Sequence, residues 1–117
     1  MTITRLNPGA RYNGVVIHNN TVYLAGQVAK TTAGQSVANQ TTEVLGLIDI
    51  ALASAGITKS NLLSVNVFLS DISTFAEMNT AYDKWVDKSH MPVRVTVEGK
   101  IANPLETVEI FGIAALD

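Results

Sequence analysis

The chain has 117 residues with eight Lys and Arg against ten Asp and Glu, so its formal net charge is −2, and no basic run concentrates the cations. This charge balance lacks the electrostatic footprint of nucleic-acid binding, so neither RNA nor DNA is an expected partner. The absence of cysteine excludes disulfides, a thiol nucleophile and thiolate metal ligands. No apolar run approaches a membrane span and no secretion signal is recognisable, so we expect one cytoplasmic domain over residues 1–117, without membrane contact.

The balance of apolar and charged residues bears on assembly. Hydrophobic residues make up 47 % of the chain and charged residues only 15 %, which is richer in apolar side chains than a typical soluble monomer. Fewer charges are left to cover the outside of the molecule. The composition therefore favours an oligomer, although a well-packed monomer with a plain surface remains open.

The amino-terminal half predicts a hairpin followed by a helix. Residues 1–11 are predicted to be an irregular lead-in, and two β-rich runs at 15–17 and 21–25 flank a turn that contains Asn19 and Asn20. Asparagine tolerates positive φ, so the turn is predicted to be tight. Apolar residues at helical spacing then predict a helix over 36–55.

A glycine lies inside this predicted helix. Gly46 costs up to about 1 kcal/mol relative to alanine at such a position. We therefore expect close packing against a neighbouring element there.

The carboxyl-terminal half predicts a central strand over residues 62–69 and a second helix. Thr74 and Glu77 have the spacing of a capping box at the start of that helix, which is expected to end near Lys88. Its aromatic and apolar residues have the spacing of a buried face. They are Phe75, Met78, Tyr82, Trp85 and Val86.

Two alternating runs close the chain. In the first, Val93, Val95 and Val97 point to one face and Arg94, Thr96 and Glu98 to the other. In the second, Val108, Ile110, Gly112 and Ala114 alternate with Glu109, Phe111 and Ile113. Both runs are predicted to be strands.

The predicted order is strand, strand, helix, strand, helix, strand, strand. This order is typical of a ferredoxin-like α+β fold with a mixed sheet and both helices on one face. The other face would be bare and would carry Phe68, Phe111 and Ile113. Packing subunits together would cover it.

Arg94 and Glu109 are the candidates for chemistry. Arginine grips a carboxylate bidentately, so Arg94 is suited to a small carboxylate ligand. Alternatively, Arg94 and Glu109 neutralise each other as a structural ion pair, or Glu98 is the partner of the arginine. All three interpretations stay open at this point. The two histidines are isolated, and no motif for a metal or a nucleotide phosphate is present.

Several short motifs, in order and over nearly the whole chain, resemble those of the RidA (reactive intermediate deaminase, YjgF-like) family. They are Tyr12, Ala25-Gly26-Gln27, Asp71, Phe75-Ala76-Glu77-Met78-Asn79, Tyr82, Pro92-Val93-Arg94 and Val108-Glu109-Ile110. The lead-in and residues 16–21 are most similar to a bacterial subgroup of YoaB-type proteins.

The resemblance implies a chorismate-mutase-like α+β subunit and a homotrimer with clefts between neighbouring subunits. It also implies hydrolysis of enamine and imine intermediates, such as 2-aminoacrylate, to 2-oxo acids and ammonia. No metal or organic cofactor is implied. The alternative is a trimeric protein that binds small carboxylates, or regulates through them, without turnover.

The resemblance further implies roles for individual residues. Arg94 would bind the substrate carboxylate, and Glu109 would position or activate water. Tyr12 would line the cleft from an adjacent subunit, the backbone around Gly26 would contact the ligand, and Asn79 would be a peripheral polar contact.

Two ligand-contacting positions depart from the archetypal pattern. Ala25 replaces a serine that many members have, and Thr96 replaces a cysteine. Substrate preference is therefore where we expect this chain to differ from its relatives.

Overall fold

The computed structural model describes residues 2–117 and contains one mixed sheet with two helices. The elements are β1 (Thr4–Pro8), β2 (Asn13–His18), β3 (Thr21–Leu24), β4 (Gln27–Val28), α1 (Val37–Ser54), β5 (Leu62–Leu69), α2 (Phe75–Trp85), β6 (Val93–Glu98) and β7 (Val108–Ala115). The strand order is β1-β2-β3-β7-β5-β6, and the short β4 also pairs with β7. The predicted α+β class is confirmed.

The amino-terminal region confirms the predicted hairpin and corrects the predicted lead-in. Asn19 and Asn20 have φ angles of 52° and 65°, the positive values that a tight two-residue turn requires. The prediction that residues 1–11 are irregular is wrong, because β1 (Thr4–Pro8) pairs antiparallel with β2. The strand was hidden in the sequence because β1 is an edge strand with four of its five residues exposed, so it shows little apolar alternation.

Helix α1 begins as its sequence predicts, with the Ser36 side chain accepting a hydrogen bond from the Asn39 N–H. Its buried face includes Val44, Leu45 and Ile48. The expectation of close packing at Gly46 is wrong, because a β-carbon built there meets no atom within 4 Å.

The predicted capping box of α2 is also wrong. The Thr74 hydroxyl donates to the Asp71 carbonyl, and the Glu77 carboxylate accepts from the Ala38 N–H of the other helix. A 3-10 turn precedes α2 and already satisfies its first amides, so Glu77 is free to cap α1 instead. The helix ends at Trp85 rather than near Lys88, since Val86 is extended and buried.

The hydrophobic core lies between the helices and one face of the sheet. Strand β5 lies inside the sheet between two neighbours, which confirms its predicted central position; it is antiparallel to β7 and parallel to β6. On the opposite face, the rings of Phe68 and Phe111 stack with centroids 5.9 Å apart. Val93, Val95 and Val97 on β6 are 72 %, 57 % and 40 % exposed. We call this side of the sheet the bare face.

In the described part of the chain, residues 2–117, no helix is long and apolar enough to cross a membrane.

A β-bulge lies where β3 passes into β4. Tyr23 is paired with Ile113 and Gln27 with Ile110, so four steps along one strand match three along β7. The extra residue interrupts the ladder around Gly26, and such bulges redirect side chains beside functional sites. The bulge opens the sheet next to Glu109.

Candidate functional site

The pairing register of the strands places Arg94 and Glu109, the two candidates for chemistry, on opposite faces of the sheet. Phe68 of β5 is level with Val97 on β6 and with Glu109 on β7, so these side chains share the bare face. Arg94 is three residues from Val97 and therefore points to the helix side. The interpretation that Arg94 and Glu109 form an ion pair within one chain is therefore wrong.

Glu98 is not the arginine's partner either. Its carboxylate accepts a hydrogen bond of 3.0 Å from the Ile72 N–H. Within residues 2–117 the ion pairs are Lys88 with Asp83 and His90 with Asp87. Arg94 and Glu109 therefore each lack a compensating charge in that range.

Glu109 lies in a cavity of about 470 Å³ beside the bulge. The lining includes Tyr12, Ala25, Gly26 and Glu109, which are four of the predicted site residues, together with Val16 and Tyr23. A methyl group added to Gly26 would overlap Glu109 Oε2, so the glycine creates the space that the carboxylate occupies. We call Tyr12, Ala25, Gly26 and Glu109 the glutamate pocket.

Arg94 lies between strand β6 and helix α2, against two aromatic rings. Its guanidinium carbon is 4.7 Å from the Tyr82 ring centre and 5.7 Å from that of Phe75. Cation–π contact holds the guanidinium over the rings and leaves its N–H edge available. Burial raises the pKa of Tyr82, and the Arg94 charge acts in the opposite direction, so the phenol stays neutral.

Asn79 and Thr96 lie on the same side as Arg94. Thr96 follows Arg94 by two residues on β6, and Asn79 lies between Phe75 and Tyr82 on one face of α2. The Asn79 Oδ1 and Thr96 Oγ1 atoms are buried without a hydrogen-bond partner. Buried polar atoms of this kind call for an explanation, which a bound ligand or ordered water would supply. We call Arg94, Asn79, Thr96, Tyr82 and Phe75 the arginine edge.

Sequence reasoning assigned Phe75 and Tyr82 to core packing alone. Tyr82 is indeed buried, whereas Phe75 is 40 % exposed, and both also contact Arg94. Their spacing of seven residues puts them on one helix face, but only the position of α2 over β6 brings that face to the arginine. Val16 and Tyr23, which also line the cavity around Glu109, gave no signal beyond strand alternation.

The seven predicted site residues thus form two groups on opposite faces of the chain. One group offers a carboxylate and open backbone, and the other offers a free guanidinium with buried polar oxygens. Among residues 2–117, no three His, Asp or Glu side chains cluster as metal ligands would. The fold and these groups define a small α+β protein with a carboxylate beside a sheet bulge and an arginine on the opposite face.

Comparisons with known proteins agree with this class. A family model described as Endoribonuclease L-PSP matches residues 2–116, and the chain belongs to this family. It is 51 % identical over 114 residues to a RutC family protein of Haemophilus influenzae, covering 97 % of this chain and 98 % of the relative. It is 43 % identical to the RutC family protein YoaB of Escherichia coli over 116 residues, covering 99 % and 100 %. The predicted family and subgroup are thereby confirmed.

A solved structure supports the fold directly. A member of the YjgF protein family from Neisseria meningitidis superimposes with a TM-score of 0.94 at 35 % identity, covering 98 % of this chain and 95 % of that one. The sheet and two helices are therefore shared.

Proposed function

We propose that the protein is a homotrimeric hydrolase that converts 2-imino acids of the 2-aminoacrylate type to 2-oxo acids and ammonia. The observation that carries the proposal is the split of the site residues. The glutamate pocket and the arginine edge lie on opposite faces of one subunit, and neither has a compensating charge within residues 2–117. A complete site therefore needs the glutamate pocket of one copy and the arginine edge of a second.

The bare face supports this assembly. The stacked Phe68 and Phe111 and the exposed valines of β6 form an apolar surface that packing between copies would cover. Tyr12, which is 68 % exposed, would become buried as the two groups meet. Three clefts between neighbouring subunits follow from threefold symmetry.

The chemistry of the two groups fits an imine substrate. The planar Arg94 fork would bind the substrate carboxylate through two N–H donors. Glu109 would accept a proton from water as the water oxygen bonds to the imine carbon. Proton transfer to nitrogen and cleavage of the C–N bond then give the 2-oxo acid and ammonia. The imine carbon is already electrophilic, so positioning and proton transfer suffice and no cofactor is required.

The test generates a 2-imino acid in situ with an amino acid oxidase and follows 2-oxo acid and ammonia release. Wild-type protein is expected to accelerate release, whereas Arg94→Ala and Glu109→Gln are expected to reduce it by at least about a hundredfold. Lys84→Ala, an exposed substitution on the outer side of α2, is the matched control. A wild-type rate equal to that of buffer would contradict the proposal.

Because imine intermediates form where pyridoxal-phosphate enzymes act, we also propose a cytoplasmic location.

A second candidate is a trimeric protein that binds small carboxylates without turnover. Ala25 and Thr96 favour it, since they replace the serine and the cysteine of archetypal members within the proposed site. Calorimetric titration with pyruvate and 2-oxobutyrate distinguishes the two, because binding without turnover of the matching imines would support this candidate. The family description also names RNA cleavage, and the net charge of −2 argues against this activity. The purified protein used for the imine assay is tested for RNA cleavage as well.

A further inference from the structure

A second cavity, of about 490 Å³, lies on the helix side of the bulge. The turn between β1 and β2, the loop after β4 and helix α1 enclose it. Its volume is in the range of small-molecule sites. Tyr12 and Gly26 line both this cavity and the glutamate pocket, so the two spaces adjoin at the bulge.

The charged side chains of this lining are both basic. They belong to Arg11 and Lys30, and the lining contains no Asp or Glu. Both side chains are exposed, and neither has a carboxylate within ion-pair distance among residues 2–117. In a chain of net charge −2, two uncompensated cations beside one cavity create a local positive potential.

Arg11 and Lys30 both belong to segments whose backbone is held by hydrogen bonds. The Gly9 N–H donates to the Tyr12 carbonyl at 2.8 Å, which closes the turn that carries Arg11. Glu43 accepts from the N–H groups of Lys30, Thr31 and Thr32 and from the Thr32 hydroxyl. The Glu43 carboxylate thus holds the loop that carries Lys30 through backbone and hydroxyl donors. Ordered backbone lowers the entropy cost of presenting the two cations to a ligand.

Part of the lining is apolar and fits a short carbon chain. Leu47 and Ile50 of α1 contribute apolar surface, and Ile50 is 66 % exposed. A ligand here would therefore combine a few methylene groups with an anionic end.

We infer that this cavity is a subsite for a second acidic group of the substrate, so that the preferred substrates are 2-imino acids with an acidic side chain. The inference rests on the proposed function. The imine would lie beside Glu109, the side chain would pass Tyr12 and Gly26, and its terminal carboxylate would lie between Arg11 and Lys30. The hydrolysis itself is unchanged: water enters, ammonia leaves, and the second carboxylate takes no part.

The test compares two imino acids of equal chain length, generated by oxidation of glutamate and of norvaline. Wild-type kcat/KM is expected to be higher for the glutamate-derived imine. Arg11→Ala/Lys30→Ala is expected to lower that value about tenfold, since each exposed charge contact contributes modestly, and to leave the norvaline-derived imine within about twofold. Lys84→Ala/Lys88→Ala removes the same charge from α2 and from the segment that follows it, and is expected to change neither value. Equal losses for both imines, or no preference in the wild type, would overturn the inference.

A binding measurement separates this inference from the proposed function. Calorimetry with 2-oxoglutarate and 2-oxopentanoate is expected to show tighter binding of the former, lost in Arg11→Ala/Lys30→Ala and weakened by salt. If no imine is hydrolysed but this pattern appears, the proposed function fails and the anion subsite stands. If imines are hydrolysed and the two oxo acids bind equally, the subsite fails alone.

Discussion

The carboxylate of Glu109 rests against the α-carbon of Gly26, in the space that any other residue's β-carbon would fill. The contact joins the bulge between β3 and β4 to the strand that carries the candidate base. The absence of a side chain at Gly26 therefore determines where the carboxylate lies.

Gly26→Ala is accordingly expected to push Glu109 out of position and to lower kcat by at least about tenfold, because small displacements of a catalytic group are costly. Gly46→Ala is the matched control, since its added methyl meets no atom within 4 Å. That variant should keep full activity and gain about 0.5–1 kcal/mol in the free energy of unfolding. Steady-state kinetics and urea denaturation measure both; unchanged kcat in Gly26→Ala would contradict the expectation.

Tyr82 is expected to orient the Arg94 guanidinium through its ring face, 4.7 Å away. Tyr82→Phe keeps the ring and should retain the wild-type KM for a 2-imino acid. Tyr82→Leu removes the cation–π contact, worth about 0.5–2 kcal/mol, and should raise KM by about 2- to 30-fold. A purely structural role for the ring would lower thermal stability in Tyr82→Leu while leaving KM unchanged, so both quantities are measured.

Glu43 is expected to make stability depend on pH in the acid range. The Thr32 hydroxyl and the N–H groups of residues 30–32 lower its pKa from 4.5 to about 2. A depressed folded-state pKa contributes stability that is complete above the unfolded pKa and is lost as pH falls through the folded one. Wild type and Glu43→Gln should therefore differ most in melting temperature above pH 5 and converge between pH 4.5 and 2.

Asp87 also has a pKa lowered to about 2, so it too makes stability depend on pH. It contributes equally to wild type and Glu43→Gln, so the difference in melting temperature between these two proteins reports on Glu43 alone. A gap in melting temperature that stayed constant down to pH 2 would show that the carboxylate charge is not responsible.

The bare face is expected to be the surface that holds the subunits together. Val95→Asp places a charge on a side chain that is 57 % exposed in one subunit, so the isolated fold should tolerate it. In an assembly that buries this face, an unpaired carboxylate is costly, and dissociation to smaller species should follow. Sedimentation velocity measures the change, with Ile72→Asp, exposed and outside the sheet, as the control. An unchanged sedimentation profile in Val95→Asp would contradict the expectation.

Local patterns determined most of the elements. The paired asparagines set the tight turn, Ser36 marked the start of α1, and strict alternation identified β6 and β7. Each of these signals depends on residues within one or two turns of each other, so it survives without knowledge of the rest of the chain. The prediction of a capping box in α2 was wrong because the Glu77 carboxylate accepts a hydrogen bond from Ala38 of the other helix instead.

The sequence by itself determined the α+β class and the family, and it supplied the residues of the candidate site, including Arg94, Glu109, Gly26 and Tyr12. Only the tertiary structure decided how these residues are distributed. Alternation within a strand determines which neighbours share a face with Arg94 on β6 or with Glu109 on β7. Whether the two residues lie on the same face of the sheet depends on how both strands pair with β5, and that pairing depends on the packing of distant elements. The same packing placed Tyr82 against Arg94 and opened the bulge in which Gly26 meets Glu109.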